Sequence, residues 1–127
     1  MLALFARLQA TKLVDTGFLG LNVMLAVYIG ARLVSGEFAD IMIETGIATV
    51  WVIVARLAMI RWLPAIGIAI FFHGLYDAFV GPHTGVTSWY PPLCAGFDLL
   101  VGVALVCMLM RKVAKAAMVS ATGTSPE

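Results

Sequence analysis

The sequence predicts an all-α fold: a four-transmembrane-helix bundle with the N-terminus and the C-terminus both cytoplasmic. Three observations predict it. Of 127 residues, 62% are hydrophobic and 12% charged, against about half and about a quarter in a soluble domain. A core this small cannot enclose that much apolar surface, so the remainder must face a lipid bilayer. The apolar residues also fall into four runs near the roughly 20 residues that a helix needs to cross hydrocarbon. Finally, the cationic residues are distributed unevenly between the two ends of those runs. The chain reads as a single transmembrane domain over residues 1–116, followed by a small, polar tail over 117–127 that reads as disordered.

The first span is expected over about 15–33 and contains Gly17, Gly20 and Gly30. Ahead of it, residues 2–13 read as a short interfacial helix with Arg7 and Lys12 toward lipid headgroups. Arg7 interrupts the apolar start, and no small-residue cleavage site follows, so a cleaved signal peptide is not expected. The second span is expected over about 38–62. A very short connection leads to the third, over about 64–80, with Pro64 suited to its first turn and Gly81-Pro82 as its stop. Residues 81–90 read as a polar loop. The fourth span is expected over about 91–110, ending before Arg111 and Lys112.

Orientation follows from the bias of Lys and Arg toward cytoplasmic loops. Arg7, Lys12, Arg61, Arg111, Lys112 and Lys115 fall on one side, and Arg32 stands alone near a helix end on the other. That asymmetry places both termini in the cytoplasm and makes the chain a multi-pass protein of the inner (plasma) membrane. Trp62, Trp89 and Tyr90 fall at expected interfaces, where amphipathic rings are favoured. The net charge of +1 gives no basic face for nucleic acid. Cys94 and Cys107, on one helix, lie about 20 Å apart, beyond disulfide reach. A homodimer through Gly17, Gly20 or another glycine-bearing face is compatible with so small a bundle.

Ionisable groups inside a bilayer cost about 2.5–3.5 kcal/mol each on insertion scales, so each needs a reason. Counting from the non-cytoplasmic span ends, Glu44 lies about 10 Å deep, His73 and Asp77 roughly 5–11 Å, and Asp98 about 10 Å. Three helices thus bring four ionisable groups to one layer. His73 and Asp77 are four apart and share a face, as do Cys94 and Asp98. Gly74, Ala95 and Gly102 are small enough to let the helices approach. His83 would fold back over the layer from its loop, and Asp40 and Tyr76 are further neighbours.

This layer supports several readings. Buried polar groups hold membrane helices together through hydrogen bonds. Carboxylates beside a histidine also suit general acid and base roles on a small lipophilic molecule. His73, Asp77, His83 and Asp98 would complete a mixed N/O shell for a divalent metal ion. A carboxylate–histidine relay would serve a proton-coupled transporter of a small molecule or ion, and a purely structural subunit of a membrane complex would need no chemistry. The preferred expectation is acid–base or metal-assisted chemistry. His73 and Asp77 form its central pair, Asp98 and Glu44 the opposing carboxylates, and His83 the closure. Of the other polar residues, Asn22 is expected to bond between helices, and Arg56 to snorkel or to pair with Asp15.

Two stretches, Phe72-His73-Gly74-Leu75-Tyr76-Asp77 and Trp89-Tyr90-Pro91-Pro92-Leu93-Cys94 with Asp98 following, resemble motifs of a family of small bacterial integral membrane proteins. The resemblance covers about residues 70–100. It implies a four-helix membrane fold, and it brings no activity, substrate or cofactor.

Overall fold

A computed structural model of the chain describes residues 2–121. It contains four α-helices and one short 3₁₀ turn: α1 (Leu2–Ser35), α2 (Phe38–Arg61), α3 (Ala65–Phe79), the turn Gly81–His83, and α4 (Tyr90–Ala121). The helices run up, down, up and down. One end of the bundle, the loop end, holds the α1–α2 connection and the loop after α3. The opposite end holds the α2–α3 connection and both chain termini.

Two boundaries differ from expectation, each for a local reason. Residues 2–13 are not a separate element but the start of α1; no Gly or Pro precedes Gly17 to break it. At the other terminus α4 continues past Met110 to Ala121, because Arg111 to Ala121 offers Ala, Lys and Met and neither Gly nor Pro. Residues 122–127 of the expected tail lie outside the described residues. The ends of α3 match expectation to within one residue, and they make it short. α3 has 15 residues, about 22 Å at 1.5 Å per residue, against about 30 Å of hydrocarbon. Pro64 precedes it as N-cap, and Val80 ends it just before Gly81 and Pro82, where a proline cannot donate the next helical bond. Among the described residues, therefore, three helices are long and apolar enough to cross a membrane, and α3 is the shorter apolar one.

α3 is held chiefly by α4, through glycines. A Cβ on Gly67 would lie 2.7 Å from the Gly102 carbonyl oxygen, and one on Gly102 would lie 2.7 Å from the Phe71 nitrogen. One helical stretch further, a Cβ on Gly74 would meet Leu99 N at 3.0 Å and Asp98 Cβ at 3.1 Å. Backbone therefore touches backbone along this seam, as small residues permit in apolar surroundings. The apolar core fills the half of the bundle near the termini, with Val14 and Leu21 from α1, Ala55 and Met59 from α2, Ile66 and Ile70 from α3, and Leu105 and Leu109 from α4. Gly17 is spent inside this core, 3.2 Å from Ile66 Cγ1 and 3.4 Å from Leu105 Cδ1 by its added Cβ, whereas Gly20 faces open space. Large apolar side chains also cover the outside: Val34, Phe38, Phe79 and Leu100 are all at least 75% exposed.

Candidate functional site

The loop-end half of the bundle is built differently. His73 and Asp77 share the α3 face that meets α4, as a four-residue spacing requires. The Gly74 contact brings α4 close enough for Asp98 to reach His73. His73 Nδ1 lies 2.8 Å from Asp98 Oδ2 and 3.5 Å from Asp77 Oδ2. Ionised carboxylates only accept, so Nδ1–H is the donor, and Asp98 is its primary acceptor. All three side chains are buried: His73 and Asp98 are 1% exposed and Asp77 0%. From α1, the Tyr28 hydroxyl donates a short hydrogen bond to Asp77 Oδ1. That leaves Asp77 Oδ2 and His73 Nε2 buried without a hydrogen-bond partner.

Glu44 belongs to a second cluster nearer the loop end. The Tyr76 hydroxyl donates to Glu44 Oε1 at 2.5 Å, and Arg32 approaches Glu44 Oε2 at 3.9 Å. Arg32 also pairs with Asp40 at 3.4 Å and donates to the His83 carbonyl at 3.3 Å. One guanidinium thus ties the end of α1 to the start of α2 and to the turn after α3. The two clusters meet through rings, with Tyr28 and Tyr76 edge to face at 5.6 Å and Tyr76 tilted over His73 at 6.1 Å.

Of the predicted residues, the structure gathers His73, Asp77 and Asp98 into one group whose donor atoms lie within 4.8 Å of one another. Glu44 lies beside it in the Arg32 cluster. His83 does not join: it is exposed, and it contributes its carbonyl oxygen rather than its ring, because the 3₁₀ turn is closed by Thr84, buried and bonded to Gly81 O at 2.6 Å. Asn22 bonds within its own helix, to Phe18 O at 2.7 Å, rather than to a neighbour. The Arg56 guanidinium lies 5.7 Å over the Phe18 ring, a cation–π contact, and not against Asp15. Both cysteines are free. Tyr28 escaped the sequence reading, although it lies at the depth of the ionisable layer, about 8 Å from the end of its span, and Arg32 entered that reading only as the lone cation at its end.

No protein-family model, curated protein or solved structure matches this chain. The family resemblance therefore rests on its two motifs alone, and those motifs contain the cluster. His73, Gly74 and Asp77 come from the first, and Asp98 follows the second.

A groove of about 950 Å³ runs between α2 and α3, lined by apolar side chains from Met42 and Ile43 to Trp62. Trp51 sits halfway along it. Its indole N–H donates to the Ala69 carbonyl at 3.3 Å, and its ring packs edge-on to His73 at 5.9 Å and to Tyr76 at 6.0 Å. The same side chain lines the groove and touches the histidine.

Proposed function

We propose that this chain is a multi-pass membrane protein with a buried reaction centre, in which His73 performs acid–base chemistry on a small lipophilic molecule held in the α2–α3 groove. One observation carries the reading. His73 is fixed through Nδ1 by Asp98 and Asp77, its Nε2 is unpartnered, and Trp51, which packs edge-on to its ring, also lines an apolar groove. Holding one imidazole nitrogen with a carboxylate sets the tautomer and leaves the other nitrogen with a lone pair to take a proton. Tyr28 holds Asp77, so the second carboxylate stays in place as charge develops on the ring. Rotation of the Trp51 indole joins the groove to the histidine.

In this reading both termini are cytoplasmic, because Arg61, Arg111, Lys112 and Lys115 lie at the terminal end of the bundle and Arg32 alone at the opposite end, the bias expected of cytoplasmic loops. A proton-coupled transporter would need polar groups in both halves of the bundle, and the half near the termini is the apolar core. The acid–base reading is therefore preferred.

Two experiments test this. In a cysteine-free background, Ser88→Cys and Ser120→Cys, both at exposed positions, should label from opposite sides of sealed inverted vesicles; labelling of both from the same side ends the topology. Native mass spectrometry of gently extracted protein should reveal a bound lipophilic molecule that Ala58→Trp, which fills the groove, displaces. His73→Gln should retain that molecule in an unprocessed form of different mass. If wild type and His73→Gln carry the same molecule, the cluster does no chemistry on it.

A further inference from the structure

We infer that His73, Asp77 and Asp98 form a binding site for one divalent transition-metal ion, with His73 Nδ1, Asp77 Oδ2 and Asp98 Oδ2 as its protein ligands. The inference rests on the view that this cluster is a working centre. It does not depend on the groove or on any substrate.

The spacing of the donor atoms fits. Metal–ligand bonds of about 2.0–2.2 Å put neighbouring ligand atoms about 2.9 Å apart in octahedral and about 3.4 Å apart in tetrahedral geometry. The distances from Nδ1 to the two carboxylate oxygens, 2.8 and 3.5 Å, bracket that range. Each of the three residues offers a ligand atom within 4.8 Å of the others, so a small inward movement of Asp77 completes a three-sided face.

Charge gives a second, independent reason. Among the described residues, His73 is the only base paired with Asp77 or Asp98, while Arg32 is engaged by Asp40 and Glu44. Two buried carboxylates face one imidazole, and Asp77 Oδ2 is fully buried with no hydrogen-bond partner. A divalent ion neutralises both carboxylates. On binding, it takes the place of the Nδ1 proton between His73 and Asp98. That proton moves to Nε2, so the metal-loaded centre holds His73 as a ligand and only the metal-free centre uses it as a base, and any proton held between the carboxylates leaves to water.

The surroundings are those of a metal site. Carboxylate ligands are normally oriented by a hydrogen bond to their other oxygen, and Tyr28 supplies one to Asp77 Oδ1. The glycine seam fixes the helices that carry the ligands, with Gly74 packed against Asp98 itself. One imidazole nitrogen with two carboxylate oxygens suits Mn²⁺, Fe²⁺, Co²⁺ or Zn²⁺ rather than a thiolate-seeking ion. Exposed His83 is excluded from the set.

The test is calorimetric titration of the full chain in detergent micelles with Zn²⁺ and, separately, Mn²⁺. Quenching of Trp fluorescence by Co²⁺ provides a second readout, since Trp51 lies against His73. One ion per chain is expected for the wild type and for His83→Gln. Asp98→Asn and the double variant Asp77→Asn/Asp98→Asn should lose it, and Tyr28→Phe should weaken it by about 10–100-fold. Tyr28→Phe keeps every ligand, so its graded loss does not depend on the carboxylate variants folding. A wild type that binds no stoichiometric ion overturns the inference while leaving acid–base chemistry at His73 untouched. Binding that survives the double variant, or that vanishes with His83→Gln, overturns it as well.

Discussion

The two halves of the α3–α4 pair solve opposite problems. Near the termini, Gly67 and Gly102 bring the backbones together, and the space around them is filled by Ile66, Ile70, Leu105 and Leu109. Near the loop end the same two helices are still held in close approach at Gly74, though a few tenths of an ångström looser, and they enclose His73, Asp77 and Asp98. Packing alone would have been satisfied by apolar side chains in both places. Buried ion pairs are weak contributors to stability, and well-packed apolar replacements of similar volume are often neutral or better. The first half is explained by packing, and the second asks for another reason.

The largest effect should come from breaking the polar half one residue at a time. Asp98→Leu strips His73 of its nearest acceptor and leaves an imidazole and one carboxylate buried without their partner, at a cost of about 3–5 kcal/mol. Replacing all three residues, as His73→Leu/Asp77→Leu/Asp98→Leu, should recover most of that loss, because nothing charged is then left unpaired. Unfolding titrations in mixed micelles measure both. If the triple variant is as unstable as the single one, the cluster is what holds the helices together, and the case for chemistry falls.

In the apolar half the corresponding test is Gly102→Ala. Its Cβ would arrive 2.7 Å from both Gly67 O and Phe71 N, so the helices must separate, at about 1–3 kcal/mol. Gly96→Ala, also on α4 but with nothing within 4 Å, should be neutral or stabilising by up to about 1 kcal/mol from helix propensity. Equal effects at the two positions would mean that α3 and α4 do not touch as described. Smaller still is Tyr76→Phe, which removes one donor to Glu44 at about 1 kcal/mol. Arg32 remains beside that carboxylate, so thermal melting should shift only slightly.

How much of this was legible beforehand differs by the kind of signal. Helix positions and the shared depth of Glu44, His73, Asp77 and Asp98 follow from rise per residue alone, and the His73–Asp77 neighbourhood follows from the four-residue spacing. Which carboxylate His73 prefers does not, because that depends on how Gly74 seats α3 against α4. Tyr28 was missed because a tyrosine in an apolar run costs little and so raises no flag, unlike a charge. His83 was misplaced because the reach of a loop cannot be read from its sequence; the turn closed by Thr84 on Gly81 leaves its side chain exposed. The ends of α3 were legible to within one residue, because Pro64 and Gly81-Pro82 mark them in the sequence, although so short a helix falls below the roughly 20 residues that cross hydrocarbon.

Asn22 gives the finest test of the comparison. In apolar surroundings, polar residues between helices contribute on average about 0.6 kcal/mol, which was the expectation here. The structure instead turns the amide back onto Phe18 O of its own helix, beside a cavity of about 290 Å³ between α1 and α2 that Thr45 and Thr49 also line. Those two hydroxyls likewise bond their own helix, at Ile41 O and Thr45 O. Three side chains on two facing helices each satisfy themselves locally, so none of them links α1 to α2. Asn22→Leu should therefore change stability by less than about 0.5 kcal/mol, with the apolar replacement filling the cavity. A loss above about 1 kcal/mol that depends on protein concentration would mean that Asn22 bonds a second copy of the chain, and this face, rather than that of Gly20, would be the dimer surface.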